Sequence, residues 1–500
     1  MQVKIRPNYK LIFVSFFFLV TALLVFLSFH DASLFSWNSN KETDKNKLVS
    51  FRQDYQPFDD DVYSSAINIG IDNVDDDVSN NNILNWLQED KQLAANKDDF
   101  YGVMFDAGST GSRIHVYHFR NRSQGKPPLL KSEVFNNTKH GLADFADSPK
   151  EAVEVVRNLL DIGMKSIPTE LWSSTPVALK ATAGLRLIPP EKAQRLLDGV
   201  YELLLHSGLH TESKKHTVAI IDGIHEGEFI WLTVNFLRGV LGSLDHATNT
   251  MGVLDLGGGS TQITFAPRFE ETILQGMPLG LIKTFRFMKE SFQLYTHSYL
   301  GLGLKAARLG TMKLEEQNET SHITSTTTHL NDYSRSNFST VCLPANMKAD
   351  WDFAGTSYTA SSSNSQEVNN LFNICSKVTK QFMADQVFRP SEIQNRSFYT
   401  SSYFLGKGVE SGLIDREFGG IIQVKEFGTV AIKACGDFDA ANPFLCMDLV
   451  YINTLLTHGY GFNADTELVM SEQIRGFDIS WALGATIDLL HTHWDNTGHL

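Results

Sequence analysis

Residues 11–29 are apolar and uncharged, residues 30–98 carry little hydrophobic periodicity, and from residue 99 onward short apolar runs alternate with helix-spaced patterns. The first stretch predicts a transmembrane signal anchor, because a helix of that length spans roughly 28 Å and a hydrocarbon core is about 30 Å thick. Lys4, Arg6 and Lys10 precede it, so residues 1–10 are expected in the cytosol and everything after Phe29 in the lumen or outside. A cleaved signal peptide is the competing reading, but the run is longer than such segments and lacks a small-x-small cleavage site. Residues 30–98 hold 14 acidic and 6 basic residues, with Asp triplets at 59–61 and 75–77, and are expected to form a flexible acidic stem.

Past residue 98 the alternation predicts an α/β protein. YGVMF and RIHVYHF read as strands on either side of a Gly/Ser turn, and so do MGVL and QITF. Ser148, Pro149 and Glu151 predict a capping box opening a helix that runs to about Lys165. A second helix is expected from Pro190 to a stop at Gly208. HTVAIIDG reads as a strand and EGEFIWLTVNFLRG as the helix after it, placing Glu226 at the mouth of the α/β layer, where ligands usually bind. Residues 311–364, rich in Ser, Thr and Asn, read as an exposed insertion. MDLVYINTLLTHGYGF and SWALGATIDLLHTHW are expected to be amphipathic helices.

Charge and cysteine content narrow the setting. With 43 basic against 57 acidic residues the net charge is −14, which leaves no basic stripe for nucleic acid. Cys342, Cys375, Cys435 and Cys446 have three possible pairings in an oxidising compartment, of which the sequential one closes the shortest loops. Sequons at Asn121, Asn136, Asn318, Asn337 and Asn395 fit a luminal chain.

The chemistry concentrates in two loops of one design, DAGSTGSR from Asp106 and DLGGGSTQI from Asp255, 149 residues apart. Glycines let backbone N–H groups approach an anion, hydroxyls add donors, and each leading Asp can hold a divalent cation through water. Gly108, Ser109, Thr110, Gly111, Ser112 and Arg113 of the first loop, and Gly257, Gly258 and Gly259 of the second, are candidate phosphate ligands. Between the loops, KATAGLRLIP offers Thr182 to a metal-bound water, and IDGIHEGEF offers Glu226 as a general base for water attacking phosphorus. Two facing loops of this kind would grip a polyphosphate from both sides.

DAGSTGSR, LKATAGLRLIP, IDGIHEGEFIWLTVNFLRG, LDLGGGSTQITF and SWALGATI resemble, in order, the five apyrase conserved regions of the nucleoside triphosphate diphosphohydrolases. With SYLGLGLKAAR and DLVYINTLL, the resemblance covers essentially residue 99 to the C-terminus. It implies two actin-like, ribonuclease H-like lobes around a central cleft, residues 99–222 plus 472–500 forming one and 223–471 the other. It further implies Glu226 as catalytic base, Ser260 and Gln262 as orienters of the attacking water, and Ca2+ or Mg2+ held through its water shell by Asp106, Thr182 and Asp255 with Trp481 nearby. Two positions depart from the family pattern. Gly259 stands where Ala is more frequent, a change expected to be benign, and His225 precedes the base, where a protonated imidazole would lower the pKa of Glu226.

One N-terminal anchor and four cysteines resemble the secretory-pathway branch of that family. The resemblance implies hydrolysis of nucleoside diphosphates such as UDP and GDP on the luminal side of the Golgi or endoplasmic reticulum membrane, in support of glycosylation, or in a secreted form. Tyr403 and Phe404 are candidates for stacking on the base. The alternatives are a broad triphosphatase acting on extracellular nucleotides, an exopolyphosphatase-type enzyme, and a non-enzymatic membrane glycoprotein that keeps the fold. His491 and His493 are metal-capable residues on what reads as a solvated terminus, and oligomeric state is not readable from the chain.

Overall fold

A computed structural model describes residues 98–497, apart from 109–110, 123–125, 242–248, 322–335 and 365–369. The anchor at 11–29, nearly all of the stem, and Ser109 and Thr110 lie outside the described residues. Among the described residues no helix is long and apolar enough to cross a membrane.

The first sheet opens with β1 (Asp99–Ala107), β2 (Ser112–Arg120) and β3 (Leu129–Thr138), an antiparallel meander. Helix α1 (Pro149–Met164) returns the chain to β4 (Val177–Ala181), which pairs parallel with β1. A short α2 (Ala183–Arg186) and then α3 (Pro190–Leu205) lead to β5 (Val218–Ile220), parallel to β4. The strand order is therefore β3-β2-β1-β4-β5. Helices α1 and α3 pack together, and α1 also covers β2 and β3, over a core that includes Val103, Ile114, Leu160 and Leu196.

Local signals give these elements with two corrections. Helix α1 starts at Pro149 as expected, yet no capping box forms, since Ser148 makes no side-chain bond to the helix; the Ser148 carbonyl instead accepts from Glu151 N at 3.0 Å. Proline at the first helical position already removes one orphan donor and fixes φ, so the helix starts without a side-chain cap. The strand expected over HTVAIIDG is reduced to β5, because Lys214–Thr217 forms a helical turn before it.

The second sheet repeats the five-strand plan. Strands β6 (Gly252–Leu256), β7 (Ser260–Phe265) and β9 (Glu290–Leu300) run antiparallel, with β8 (Ile282–Phe287) added beyond β9. The next three strands form a separate small sheet: β10 (Asn337–Thr340), β11 (Lys348–Phe353) and β12 (Thr356–Ser362). Strand β13 (Phe398–Ser402) lies parallel to β6, β15 (Glu467–Met470) parallel to β13, and β14 (Gly420–Gln423) closes the far edge. Removing the added edges, β9-β7-β6-β13-β15 has the order and the parallel and antiparallel pattern of β3-β2-β1-β4-β5.

The small sheet corrects the reading of 311–364 as an exposed insertion in its described part, 322–335 lying outside the described residues. Helix α5 (Leu304–Ser321) enters that stretch, and the strands bury Phe338, Trp351, Phe353 and Ala360 in the same core as β6 and β7. The buried positions alternate along β11 with exposed Lys348, Asp350 and Asp352, and Thr and Ser are compatible with strands, so composition hid a period of two. Cys342 is bonded to Cys375 and Cys435 to Cys446, the sequential pairing, with the first bridge tying the small sheet to a helix. Asn121, Asn318 and Asn337 are exposed and Asn136 half-buried, whereas the side chain of Asn395 is outside the described set.

Three helices are enclosed on nearly every side, contrary to the amphipathic expectation for two of them. Helix α4 (Gly223–Leu237) packs on β6, β7 and β9, and α8 (Trp481–Thr497) packs on β1 and β2. The two helices lie against each other between the sheets, and α7 (Leu445–Thr454) is buried in the core of the second sheet. A helix apolar all round is what a position between two sheets demands. Close approach makes glycine necessary: a Cβ on Gly484 of α8 would overlap the Phe229 carbonyl of α4, and Thr233 of α4 accepts from Gly484 N at 2.9 Å.

Candidate functional site

The β1–β2 and β6–β7 connections share one closing bond, made by the glycine two residues after each Asp. Gly108 N donates to the Gly111 carbonyl at 3.0 Å, and Gly257 N donates to the Ser260 carbonyl at 2.9 Å. Asp106 stands opposite Arg113 in one ladder, and Asp255 opposite Gln262 in the other. The two aspartates and the two turns border one cleft of about 440 Å³, together with Thr182, Glu226, Ser260 and Trp481. A larger groove of about 1200 Å³ between α1 and α3 contains none of these residues.

Glu226 sits in the first turn of α4, and the helix is capped not by it but by Asp222, whose Oδ1 accepts from Ile224 N at 3.1 Å. The carboxylate is therefore not used in capping and faces the cleft. Gln262 Nε2 lies 3.3 Å from Glu226 Oε2, 3.0 Å from Ser260 Oγ and 2.9 Å from Ser298 Oγ. Gln262 Oε1 is buried without a partner among the described residues, an acceptor available to a donor water beside Glu226. Arg186 Nη2 donates to Glu226 Oε2 at 3.0 Å and lies 3.5 Å from Ser260 Oγ. Sequence reasoning gave no role to that arginine, nor to Ser298, Ser401 or Ser402.

Electrostatics separate Glu226 from an ordinary carboxylate. Burial pushes its pKa up to about 8; the negative charge of Asp255 adds to the rise, Arg186 opposes it, and Asp106 raises it further. His225 is not the controlling neighbour expected from the sequence. It is exposed on α4 and its charge bears on Asp488, because successive helix residues point about 100° apart. Burial likewise raises Asp255, against hydrogen bonds from Ser402 and Ser401, the latter donating to Oδ1 at 2.7 Å.

The donor set fits a hard divalent cation. Asp106 Oδ2 accepts from Arg113 Nη1 at 2.7 Å, while its buried Oδ1 has no partner among the described residues. Asp255 and Thr182 add oxygen to the same cleft, and oxygen ligands suit Ca2+ and Mg2+. Trp481 opens α8 at the cleft wall, 6% exposed. Gly259 leaves the second turn room to close on Ala183, whose Cβ would lie 2.8 Å from an added one.

The aromatic pair divides. Phe404 is fully buried against Phe427 and cannot stack on a ligand, a correction to the sequence reading. Tyr403, the first residue of α6 (Tyr403–Glu410), lines the cleft. That helix is anchored from below by buried Asp448 on α7, which accepts from Arg308 Nε at 2.7 Å and pairs with Lys407 Nζ at 3.0 Å.

Duplicated phosphate-type loops around buried carboxylates define a nucleotide hydrolase class, and the chain belongs to the GDA1/CD39 (nucleoside phosphatase) family, whose model matches residues 92–496. It is 43% identical over 396 residues to nucleoside diphosphate phosphatase ENTPD5 of Homo sapiens, covering 78% of this chain and 88% of that protein. Ectonucleoside triphosphate diphosphohydrolase 6 of Mus musculus is 39% identical over 389 residues, 77% and 81% of the two chains. A solved nucleoside triphosphate hydrolase from Neospora caninum shares the fold, with a TM-score of 0.55 at 14% identity over 84% of this chain and 97% of that one.

Proposed function

We propose that this nucleoside phosphatase hydrolyses nucleoside diphosphates, UDP and GDP foremost, to the monophosphate and inorganic phosphate with Ca2+ or Mg2+. The observation that carries the reading is the convergence of Glu226, Ser260 and Gln262 within hydrogen-bonding distance in the cleft that both glycine turns border. The substrate class is supported by the name of the human relative, a nucleoside diphosphate phosphatase.

In this reading two actin-like lobes, residues 99–222 plus 472–500 and residues 223–471, face each other across the cleft. Gly108, Ser109, Thr110, Gly111, Ser112 and Arg113 hold phosphate oxygens from one side, and Gly257, Gly258 and Gly259 from the other. Asp106, Thr182 and Asp255, with Trp481 beside them, hold the cation through its waters; when bound, it offsets charge on the transferring phosphoryl group. Ser260 and Gln262 orient a water whose proton Glu226 accepts as the oxygen attacks the terminal phosphorus, and the nucleoside monophosphate leaves. Arg186 keeps the Glu226 carboxylate aimed at that water, and Tyr403 offers a face to the base. Location in the Golgi or endoplasmic reticulum membrane, with a luminal catalytic part, belongs to the same proposal and rests on the 11–29 run and the sequons.

Phosphate release from UDP, GDP, ADP, CDP, ATP and long-chain polyphosphate tests it, measured in Ca2+ and in Mg2+ on the chain from residue 98 onward. UDP and GDP are expected to give the highest kcat/KM and polyphosphate none. ATP hydrolysed faster than every diphosphate would replace the reading with a broad triphosphatase.

A further inference from the structure

The turn after α3 and the last turns of α8 meet at three potential metal ligands. His210, Glu212 and His493 each present one ligand atom within 4.8 Å of the others, and the His210 and His493 rings lie 4.4 Å apart, centroid to centroid. The backbone holds His210 firmly: His210 N donates to the Thr175 carbonyl at 2.9 Å, and Val177 N donates to the His210 carbonyl at 3.0 Å. Glu212 is fixed by its carbonyl, which accepts from Thr217 Oγ1 at 3.1 Å, while its carboxylate lies 3.1 Å from His216 Nδ1. His491, the other histidine of the terminal pair, packs on Phe287 instead.

We propose that His210, Glu212 and His493 form a binding site for a borderline transition-metal cation, Zn2+ foremost, that clamps the C-terminal end of α8 to the turn after α3. Two imidazoles and one carboxylate are a zinc-type donor set, whereas Ca2+ and Mg2+ take oxygen. The two kinds of cation are thereby sorted between this site and the cleft, which share no residue. Zinc binds nitrogen and oxygen at about 2.0–2.2 Å, which sets neighbouring donors roughly 3.4 Å apart in a tetrahedron. All three side chains are only half-buried, so rotamer adjustment closes the remaining gap, and water completes the shell. His216 is the partner that zinc displaces from Glu212. The clamp matters for the helix as a whole, because α8 begins at Trp481 on the cleft wall and packs along α4, which carries Glu226.

The test titrates the full chain with ZnCl2 in saturating Ca2+, following bound zinc by calorimetry and unfolding by a thermal scan. One zinc per chain is expected, with a Tm rise of about 3 °C at a hundredfold excess over Kd. His493→Gln and Glu212→Gln should lose that zinc and that rise while releasing phosphate at the wild-type rate, and Asp255→Asn should keep both zinc effects. No zinc bound by the wild type, or an equal response in His493→Gln, overturns the site. If the variants do not fold, Co2+ added to the wild-type chain decides. The visible absorption of a four-coordinate nitrogen and oxygen centre supports the clamp, and the spectrum of the hydrated ion refutes it.

Discussion

Glu226→Gln is expected to lower phosphate release by at least two orders of magnitude while leaving the chain folded. The glutamine keeps the shape and an acceptor for Arg186, which lies 3.0 Å from Oε2, but it cannot take a proton, and a positioned general base is worth about 10²–10⁴ in rate. Stability should not fall. Burial raises the Glu226 pKa from 4.5 to about 8, so the folded chain favours the neutral acid. Its contribution to stability is complete below pH 4.5 and is lost as pH rises toward 8. A neutral amide escapes that loss, and at neutral pH the variant should unfold at or above the wild-type temperature. The same shift has a kinetic sign. The base works ionised, so wild-type kcat/KM climbs as pH rises through the Glu226 pKa, and the residual rate of the variant lacks that limb. Phosphate release between pH 5 and 9 and a thermal scan check both points; turnover near wild type, or an unchanged acid limb, removes Glu226 from the role.

Asp255→Asn should raise the Ca2+ or Mg2+ concentration needed for half-maximal activity by about 10–100-fold, the usual cost of losing a carboxylate that holds a metal through its outer shell. The asparagine oxygen can still accept from Ser401 Oγ, which stands 2.7 Å from Oδ1, so the side chain stays in place and the lost quantity is charge. That charge also raises Glu226. Its removal should therefore move the acid limb of the pH profile to lower pH, whereas Glu226→Gln is expected to abolish that limb. Metal titrations of activity at fixed substrate make the comparison, and an unchanged requirement would count against Asp255 as part of the cation site.

Elements whose cause is local were legible in the chain. Both Asp-Gly loops lie between apolar strands, and a glycine turn needs nothing distant to form, so Gly108 and Gly257 close identical bonds. The short-loop pairing of the four cysteines is likewise what the structure contains. What escaped depends on contacts between distant segments. Arg186 reaches Glu226 only because β4 delivers α2 to the start of α4, and Ser298 reaches Gln262 only through the β7–β9 ladder. Phe404 looked like a ligand face because composition cannot say which way a helix turns; α6 points it at Phe427 and leaves Tyr403 on the cleft. His493 read as part of a solvated terminus, and its nearness to His210 and Glu212 joins segments far apart in the chain.

The most direct measurement of the central claim is a crystal structure of the chain from residue 98 onward with Ca2+ and a non-hydrolysable UDP analogue. The account expects the terminal phosphate between the Gly108–Gly111 and Gly257–Gly259 turns, with a water within hydrogen-bonding reach of both Glu226 and Gln262 and in line with the terminal phosphorus. A diphosphate bound outside those turns, or a Glu226 carboxylate turned away from the phosphorus, would contradict it.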